Sequence, residues 1–479
     1  MRRTTAVGRT ALALTVLAAA ASSAACSTGS SGNTVNVVVG YQSKTIDTIN
    51  AGTLLRSLGY FQQQLDALGK STGKKYTISW QDYATGAPIT TQMVAGKIDI
   101  GSMGDYPLLI NGSTAQRQAS TDTEMIAATG FNLRGALNQV VVPENSPATS
   151  LRDLAGKAVS TSVGSAADGT LVRALQNDGL NPASAVHVVN QQPSVGASAL
   201  QAGSVAALSQ FAAWPAQLVY AGQAKVLYDG GALNVPTLHG VVVRTSYAKS
   251  QPGVVDAFLK AEIQTTRYLQ QNPVKASLSV AATTGLAPEV VYLYIGEDGL
   301  VTFDPTLKPQ ETAAMSGDVP FLKSIGVLNS INLGSFINGS YLEKAYGTGY
   351  STATAATANP STASGTDTGC GLTVAAGSPT ASQVWLTGEQ STHPAATPTC
   401  ALRFVRQAQA QGKKIDTTYV PDAAYGTLWF ADKDIWVSDP ANPATSHLQP
   451  FTTQDEANAY LAAHHGSAIV SYAAALAQA

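Results

Sequence analysis

One phrase is written twice in this chain. Met93-Val-Ala-Gly-Lys-Ile-Asp-Ile-Gly-Ser-Met-Gly-Asp-Tyr-Pro107 and Leu200-Gln-Ala-Gly-Ser-Val-Ala-Ala-Leu-Ser-Gln-Phe-Ala-Ala-Trp-Pro215 each end a helix at Ala-Gly, pass through a short apolar strand and open the next helix at a proline. Glycine suits the residue that closes a helix and proline the first helical turn, so both copies are punctuated alike. The surroundings alternate in the same way. In the first half the pattern predicts strands over 35–39, 76–80 and 98–101, a helix carrying the stripe Leu54, Leu58, Phe61, Leu65 and Leu68, and a second helix over 88–95. The pattern restarts after Leu151, with strands over 157–161, 186–190 and 205–208 and helices over 170–178 and 195–201. Strand–helix–strand crossovers of this kind build open α/β sheets. Two of them in one chain predict a two-lobed α/β body with a cleft, over 34–347: a first lobe of about 34–140 and 240–347, and a second of about 141–239.

The ends of the chain follow other rules. Arg2, Arg3 and Arg9 flank an apolar run from Thr10 to Ala20, and small residues lead on to Cys26. This is the layout of a secretory signal over 1–25; the run is shorter than the ~20 residues a spanning helix needs. Ser23-Ala-Ala-Cys26 resembles a lipobox with Ser where Leu is usual, which makes Cys26 an acylated N-terminus on a polar tether, 26–33. An ordinary signal peptide with an incidental Cys is the other reading. A Ser/Thr/Ala-rich stretch, 348–369, reads as a linker to a tail, 370–479. The tail holds Cys370 and Cys400, which an oxidising exterior favours as a disulfide. With 28 Lys+Arg against 30 Asp+Glu and no basic cluster, the chain lacks the cationic footprint of a nucleic-acid binder.

In open α/β sheets ligands gather outside the carboxyl ends of strands, where helix N-termini offer unpaired N–H groups and a partial positive potential. Four loops have that character. They are Gln42 and Ser43 after the first strand; Tyr83, Thr85 and Gly86 before Pro88; Met103, Asp105 and Tyr106 before Pro107; and Gly164, Ser165 and Ala166 in the second half. Phe211 and Trp214 hold the mirrored position and wall the cleft. Asp105 reads as an N-cap. Lys44 and Arg134 are the cations an anionic ligand would be expected to recruit.

The ordered set Leu58-Gly-Tyr-Phe61, Ala95-Gly-Lys-Ile-Asp-Ile-Gly101, Gly104-Asp-Tyr-Pro107, Leu154-Ala-Gly-Lys157, Gly164-Ser165 and Leu200-Gln-Ala-Gly203 up to Trp214-Pro215 resembles the nitrate/sulfonate/taurine class of ABC-transporter substrate-binding proteins. The resemblance implies a periplasmic-binding-protein clamshell of type II. It would close on a small, anionic solute and deliver it to an ABC permease and its ATPase. The protein would be exported, anchored to the lipid bilayer through Cys26 at the outer face of the cytoplasmic membrane, and monomeric. Some relatives of that fold are enzymes, but the body has no Cys, and His187 and His239 are far apart in sequence, so no catalysis, cofactor or metal is expected. The order Cys370-Gly-Leu372, Cys400-Ala-Leu-Arg-Phe404, Leu428-Trp-Phe430 and His464-His-Gly466 is similar to NosL-type copper-chaperone lipoproteins, a small α+β domain. The tail contains no Met, the soft ligand that such a site uses with Cys, so a disulfide is favoured over a metal site. The competing reading is a copper-handling surface lipoprotein acting through that tail.

Overall fold

The computed structural model describes residues 33–479; the signal segment, Cys26 and the tether before Asn33 lie outside the described residues. In the first half run β1 (Thr34–Tyr41), a 3-10 helix (Ile46–Ala51), α1 (Thr53–Leu58), α2 (Tyr60–Thr72), β2 (Lys75–Asp82), α3 (Gly86–Val94), β3 (Ile100–Gly104), α4 (Asp105–Ala115) and β4 (Thr123–Asn132). The chain then crosses to β5 (Asn138–Pro143), β6 (Ala158–Thr161), α5 (Ala166–Asn177), α6 (Pro182–Ala185), β7 (His187–Asn190), α7 (Pro193–Gln201), β8 (Ala207–Phe211), α8 (Trp214–Tyr220) and β9 (Ala224–Asp229). It returns at β10 (Thr237–Arg244).

Two five-stranded sheets result, ordered β2-β1-β3-β10-β4 and β7-β6-β8-β5-β9. In each, three parallel strands come from one stretch of chain, and an antiparallel strand arriving from the other lobe lies between them and the edge. The two orders correspond strand for strand, and the repeated phrase occupies α3–β3–α4 in one lobe and α7–β8–α8 in the other. This is the two-lobed α/β clamshell of type II. The crossings fall at 133–137 and 230–236, a few residues earlier than the lobe boundaries expected from the sequence. Gly135 and Gly230 lie where these crossings touch: a Cβ on Gly230 would meet the Gly135 carbonyl oxygen at 2.5 Å.

The remaining body is helical: α9 (Thr245–Ser250), α10 (Pro252–Gln271), α11 (Pro273–Thr284), α12 (Pro288–Ile295), α13 (Pro309–Ser324), α14 (Leu333–Phe336), α15 (Ser340–Tyr346) and α16 (Tyr350–Ala355). The long α10 buries Val254, Val255, Phe258, Leu259 and Ile263 against the first sheet's layer, where Phe61 meets Phe258 at 5.1 Å between ring centres. Burying each such side chain contributes about 1.5–3 kcal/mol. Among the described residues no helix is long and apolar enough to cross a membrane.

Three local expectations are revised. The stripe Leu54–Leu68 forms two helices rather than one, because Gly59 takes φ 69° and ends α1. The third strand starts at Ile100 and runs to Gly104, so Ser102 and Met103 belong to a strand and not to a loop. The stretch 348–369 does not hang free: it includes α16, and Ser361 and Ala363 are buried, with the Ser361 carbonyl accepting the Asp298 N–H. Small residues with no periodicity can pack in extended form against a body that offers hydrogen bonds.

The tail begins with the short pair β11 (Gly365–Thr366) and β12 (Thr373–Val374). Next come β13 (Ser382–Leu386), β14 (His393–Ala395), α17 (Pro398–Ala410), β15 (Ile415–Pro421) and β16 (Leu428–Phe430), a sheet ordered β14-β13-β15-β16. It closes with β17 (Ile435–Ser438), β18 (Leu448–Phe451), α18 (Gln454–Ala463), β19 (Ala468–Val470) and α19 (Tyr472–Gln478) around a sheet ordered β18-β17-β19. Cys370 and Cys400 are joined by a disulfide. Asp367 is the third member of the metal-capable group found among the described residues, but both sulfurs of that group are in the disulfide. Trp385, Tyr419, Trp429 and Phe430 share one apolar cluster with Tyr292 and Tyr294 of α12, so tail and body are packed together.

Candidate functional site

The carboxyl ends of β1, β3, β6 and β8 face one space between the lobes, and the helices that follow them start there. The space is a cavity of about 190 Å³. The first lobe supplies Gln42 and Thr45 after β1, Thr85, Gly86 and Thr90 around the start of α3, and Gly104, Pro107 and Ile110 from β3 into α4. The second supplies Ser162, Gly164, Ser165 and Ala166 between β6 and α5, Asn190, Gln191 and Gln192 ahead of α7, and Phe211 closing β8. His239, on the returning strand β10, completes the wall.

Seven of the residues expected at the site line this cavity: Gln42, Thr85, Gly86, Gly164, Ser165, Ala166 and Phe211. The other six lie elsewhere, each for a visible reason. Ser43 turns to the rim and binds Asp82, through its N–H to Oδ1 at 2.8 Å and its hydroxyl to Oδ2 at 2.6 Å. Tyr83 donates its hydroxyl to Gln81 at 2.7 Å. Met103 is fully buried under α3, where its sulfur accepts from Thr90. Asp105 is the first residue of α4 and not its N-cap, which is Gly104; its carboxylate accepts the N–H groups of Tyr106 at 2.7 Å and Leu238 at 3.1 Å. Tyr106 leaves the cleft to meet Arg173. Trp214 opens α8 with Lys44 5.5 Å above its ring. The Asn190-Gln-Gln192 turn and His239 also line the cavity and were not among the residues expected there. The turn mirrors Tyr83–Thr85 in the other lobe, and that symmetry was the available signal for it.

The electrostatics are unusual. Among the described residues no Lys, Arg, Asp or Glu lines the cavity. Lys44 is occupied by Trp214, and Arg134 lies over Tyr425 at 5.5 Å, with Nη2 donating to the Gly231 carbonyl. Positive potential comes from the starts of α3, α5 and α7, each worth roughly half a charge and fading within a turn. No side chain caps α3 or α7. Ser165 caps α5 through the Asp168 N–H, and the Asp168 carboxylate in turn accepts the Gly164 N–H at 3.0 Å, so this loop is fixed in place. Ser162 is held by its own bond to the Gln191 carbonyl and by the Gln210 amide, both at 2.9 Å. The Gln191 side-chain oxygen is buried with no partner, an acceptor left open at the site. Such a cavity offers neutral donors and helix ends, rigidly placed, to a small polar molecule.

A protein-family model described as "NMT1/THI5 like" matches residues 90–276. The taurine-binding periplasmic protein of Escherichia coli strain K12 is 28% identical over 253 residues, which is 51% of this chain and 73% of that protein. Among solved structures, the alkanesulfonate-binding protein SsuA of Xanthomonas axonopodis pv. citri, bound to MOPS, matches with a TM-score of 0.52 at 20% identity, covering 63% of this chain and 98% of the other. The periplasmic nitrate-binding protein NrtA of Synechocystis PCC 6803 matches with a TM-score of 0.51 at 11% identity, covering 69% and 93%. At these identities the structural likeness concerns the fold, the clamshell of periplasmic binding proteins.

Proposed function

We propose that this protein is the extracytoplasmic solute-binding component of an ABC importer, closing its lobes on a small anion of the sulfonate type and passing it to the permease. The observation that carries the reading is the cavity: it lies between twin lobes, at strand carboxyl ends, and is walled by the starts of three helices. The names of the relatives point the same way, since they are proteins of taurine, alkanesulfonate and nitrate binding. A micromolar complex needs about −8 kcal/mol, within reach of several hydrogen bonds made where water is excluded. Lobe motion about the crossings at 133–137 and 230–236 would admit and release the solute. The protein acts as a binder without turnover, as a monomer held at the membrane through acylated Cys26. The NosL-like tail serves as a structural appendage rather than a copper carrier, a reading supported by the disulfide that occupies both of its sulfurs.

Titration calorimetry of the purified protein with taurine, ethanesulfonate and nitrate tests this. One-to-one saturable binding with the solute recovered unchanged is expected, and a solute at 100 times its Kd should add about 2.7 kcal/mol of stability. Binding of none of these anions, or their chemical conversion, would overturn the reading.

A further inference from the structure

The cavity wall carries one ionisable side chain, and that side chain stands on a second. His239 is 4% exposed, and its Nδ1 lies 3.2 Å from Oδ2 of Asp47, which is 0% exposed. No other side chain meets the Asp47 oxygens or Nδ1 among the described residues; the Asp47 backbone N–H is the one further donor beside its carboxyl. The approach has the length of a hydrogen bond without its straight alignment. The opposite edge of the ring faces Gly104, another residue of the cavity wall: a Cβ there would come within 3.1 Å of Nε2. The imidazole therefore runs from a sealed carboxyl to the space where a solute would lie.

Burial drives the Asp47 carboxyl well above the ordinary range and pushes His239 down to about 3, so burial favours the neutral form of both. A neutral carboxyl facing Nδ1 favours the tautomer with hydrogen on Nε2, a donor on the cavity side of the ring. The pair then holds one proton on Nε2 and another between the carboxyl and Nδ1. Moving the second across produces a carboxylate and an imidazolium without any exchange with solvent; burial opposes that step, and a seated anion must supply the driving force.

We propose that Asp47 and His239 form a proton-sharing pair that supplies an anionic solute with the positive charge its cavity otherwise lacks. The proposal rests on the anion-binding reading above. When an anionic oxygen accepts the Nε2–H, the Asp47 O–H bond breaks and an N–H bond forms at Nδ1; the electron pair of the O–H bond stays on the carboxylate. A neutral Nε2–H already makes a charge-assisted bond to an anionic oxygen; the imidazolium adds a full positive charge at the donor. A neutral solute gains no such benefit, so the pair selects for charge. The ionisable groups around it are Asp105 at the start of α4, whose charge raises Asp47 further, and Tyr294 of α12, which feels Asp47. Arg173 and Asp318 act on Asp105 in turn.

Asp47→Asn keeps the volume and an N–H for Nδ1 but has no proton to pass on. His239→Gln keeps an amide donor and carries no charge. With ethanesulfonate as probe, ¹⁵N spectra of the wild-type imidazole should move to imidazolium values on binding. Calorimetric heats in two buffers of different ionisation enthalpy should agree, because no proton is drawn from solvent. Each variant is expected to bind several-fold more weakly at pH 7, because neither can place a positive charge beside the anion. Wild-type binding with the His239 spectrum unmoved, or an Asp47→Asn protein that binds as wild type, would overturn the pair alone. Failure of the wild type to bind ethanesulfonate, taurine or nitrate would instead remove the anion reading and the pair's role with it.

Discussion

Arg173 offers the sharpest test of whether the lobes close as a unit. It projects from α5 in the second lobe to α13 and α4 of the first. Its Nη2 lies 2.9 Å from Asp318 Oδ1, its Nε donates to the Tyr106 hydroxyl at 3.2 Å, and its guanidinium stands 3.8 Å from the Phe321 ring centre. None of these four residues lines the cavity. Opening the cleft would break all three contacts together. A hydrogen bond to a charged group contributes about 1.5–3 kcal/mol and a cation–π contact about 0.5–1, less what the guanidinium regains from water when released. We take about 2 kcal/mol as the loss from Arg173→Met. The cost has a ceiling, because burial already raises Asp318 to about 6 with Arg173 beside it, and without the cation it would hold a proton at neutral pH. A loss of about 2 kcal/mol shifts the closed-to-open ratio by roughly 30-fold, and the apparent affinity falls with the closed fraction. Calorimetry on Arg173→Met should therefore show binding weakened by up to about 30-fold, more at pH 8 than at pH 6. Small-angle scattering should show a larger empty protein. A variant that melts earlier yet binds with unchanged Kd would refute the reasoning and leave Arg173 as packing within a static interface.

The other predictions concern stability. Burial raises Asp105 and Glu311 to about 8, whereas their unfolded values are about 3.9 and 4.3; the folded state keeps protons that the unfolded state releases, so stability falls as pH rises toward 8. His239 has the opposite sign but acts only below its unfolded value of about 6.5. Between pH 6.5 and 8 the unfolding free energy should thus fall with rising pH, by up to about 1.4 kcal/mol per pH unit for each carboxyl, and the melting temperature with it; a flat or rising profile would contradict the burial argument. Replacing both Cys370 and Cys400 by Ser, which are 30 residues apart, should cost about 3–4 kcal/mol in denaturant unfolding. An unchanged midpoint would mean that the reduced tail is held by its packing alone. Tyr292→Ala removes a ring that meets Trp385 at 5.2 Å and Tyr419 at 5.3 Å. It should cost about 3–5 kcal/mol and speed amide exchange in the tail; exchange that stays slow would show that the tail does not depend on α12.

The parts of the fold that were legible in the sequence share a physical cause. Periodicity and helix punctuation are local, so the repeated phrase revealed twin lobes, and the Gly/Ser loops after β2 and β6 could be placed at strand ends without coordinates. What stayed hidden depends on partners distant in the chain. Asp105 looks like a cap, but its carboxylate is claimed by the Leu238 N–H, 133 residues away. Tyr106 looks like a cleft aromatic until Arg173 of the other lobe takes its hydroxyl. His239 is isolated in sequence and gains meaning only because β10 pairs with β3, setting it opposite Gly104. The packed linker was hidden for the same reason, since the Asp298 and Ser361 that tie it down lie 63 residues apart in a chain whose local composition reads as flexible.

These long-range placements also explain why the cavity can do without a fixed cation. The twin lobes set three helix starts around one space, and each partial charge fades within about a turn. Their sum is felt by a solute only when both lobes are drawn up to it. An arginine reaching from one lobe would hold an anion with the cleft open or shut, which slows release. A charge spread over both lobes, and a proton that shifts only when the anion is seated against His239, makes strong binding a property of the closed form. The contacts between the lobes that Arg173 makes with Asp318 and Tyr106 lie outside the cavity. Affinity and selectivity are therefore set by different residues: substitutions at Arg173 should change how tightly every solute binds, and substitutions at Asp47 which solutes are preferred.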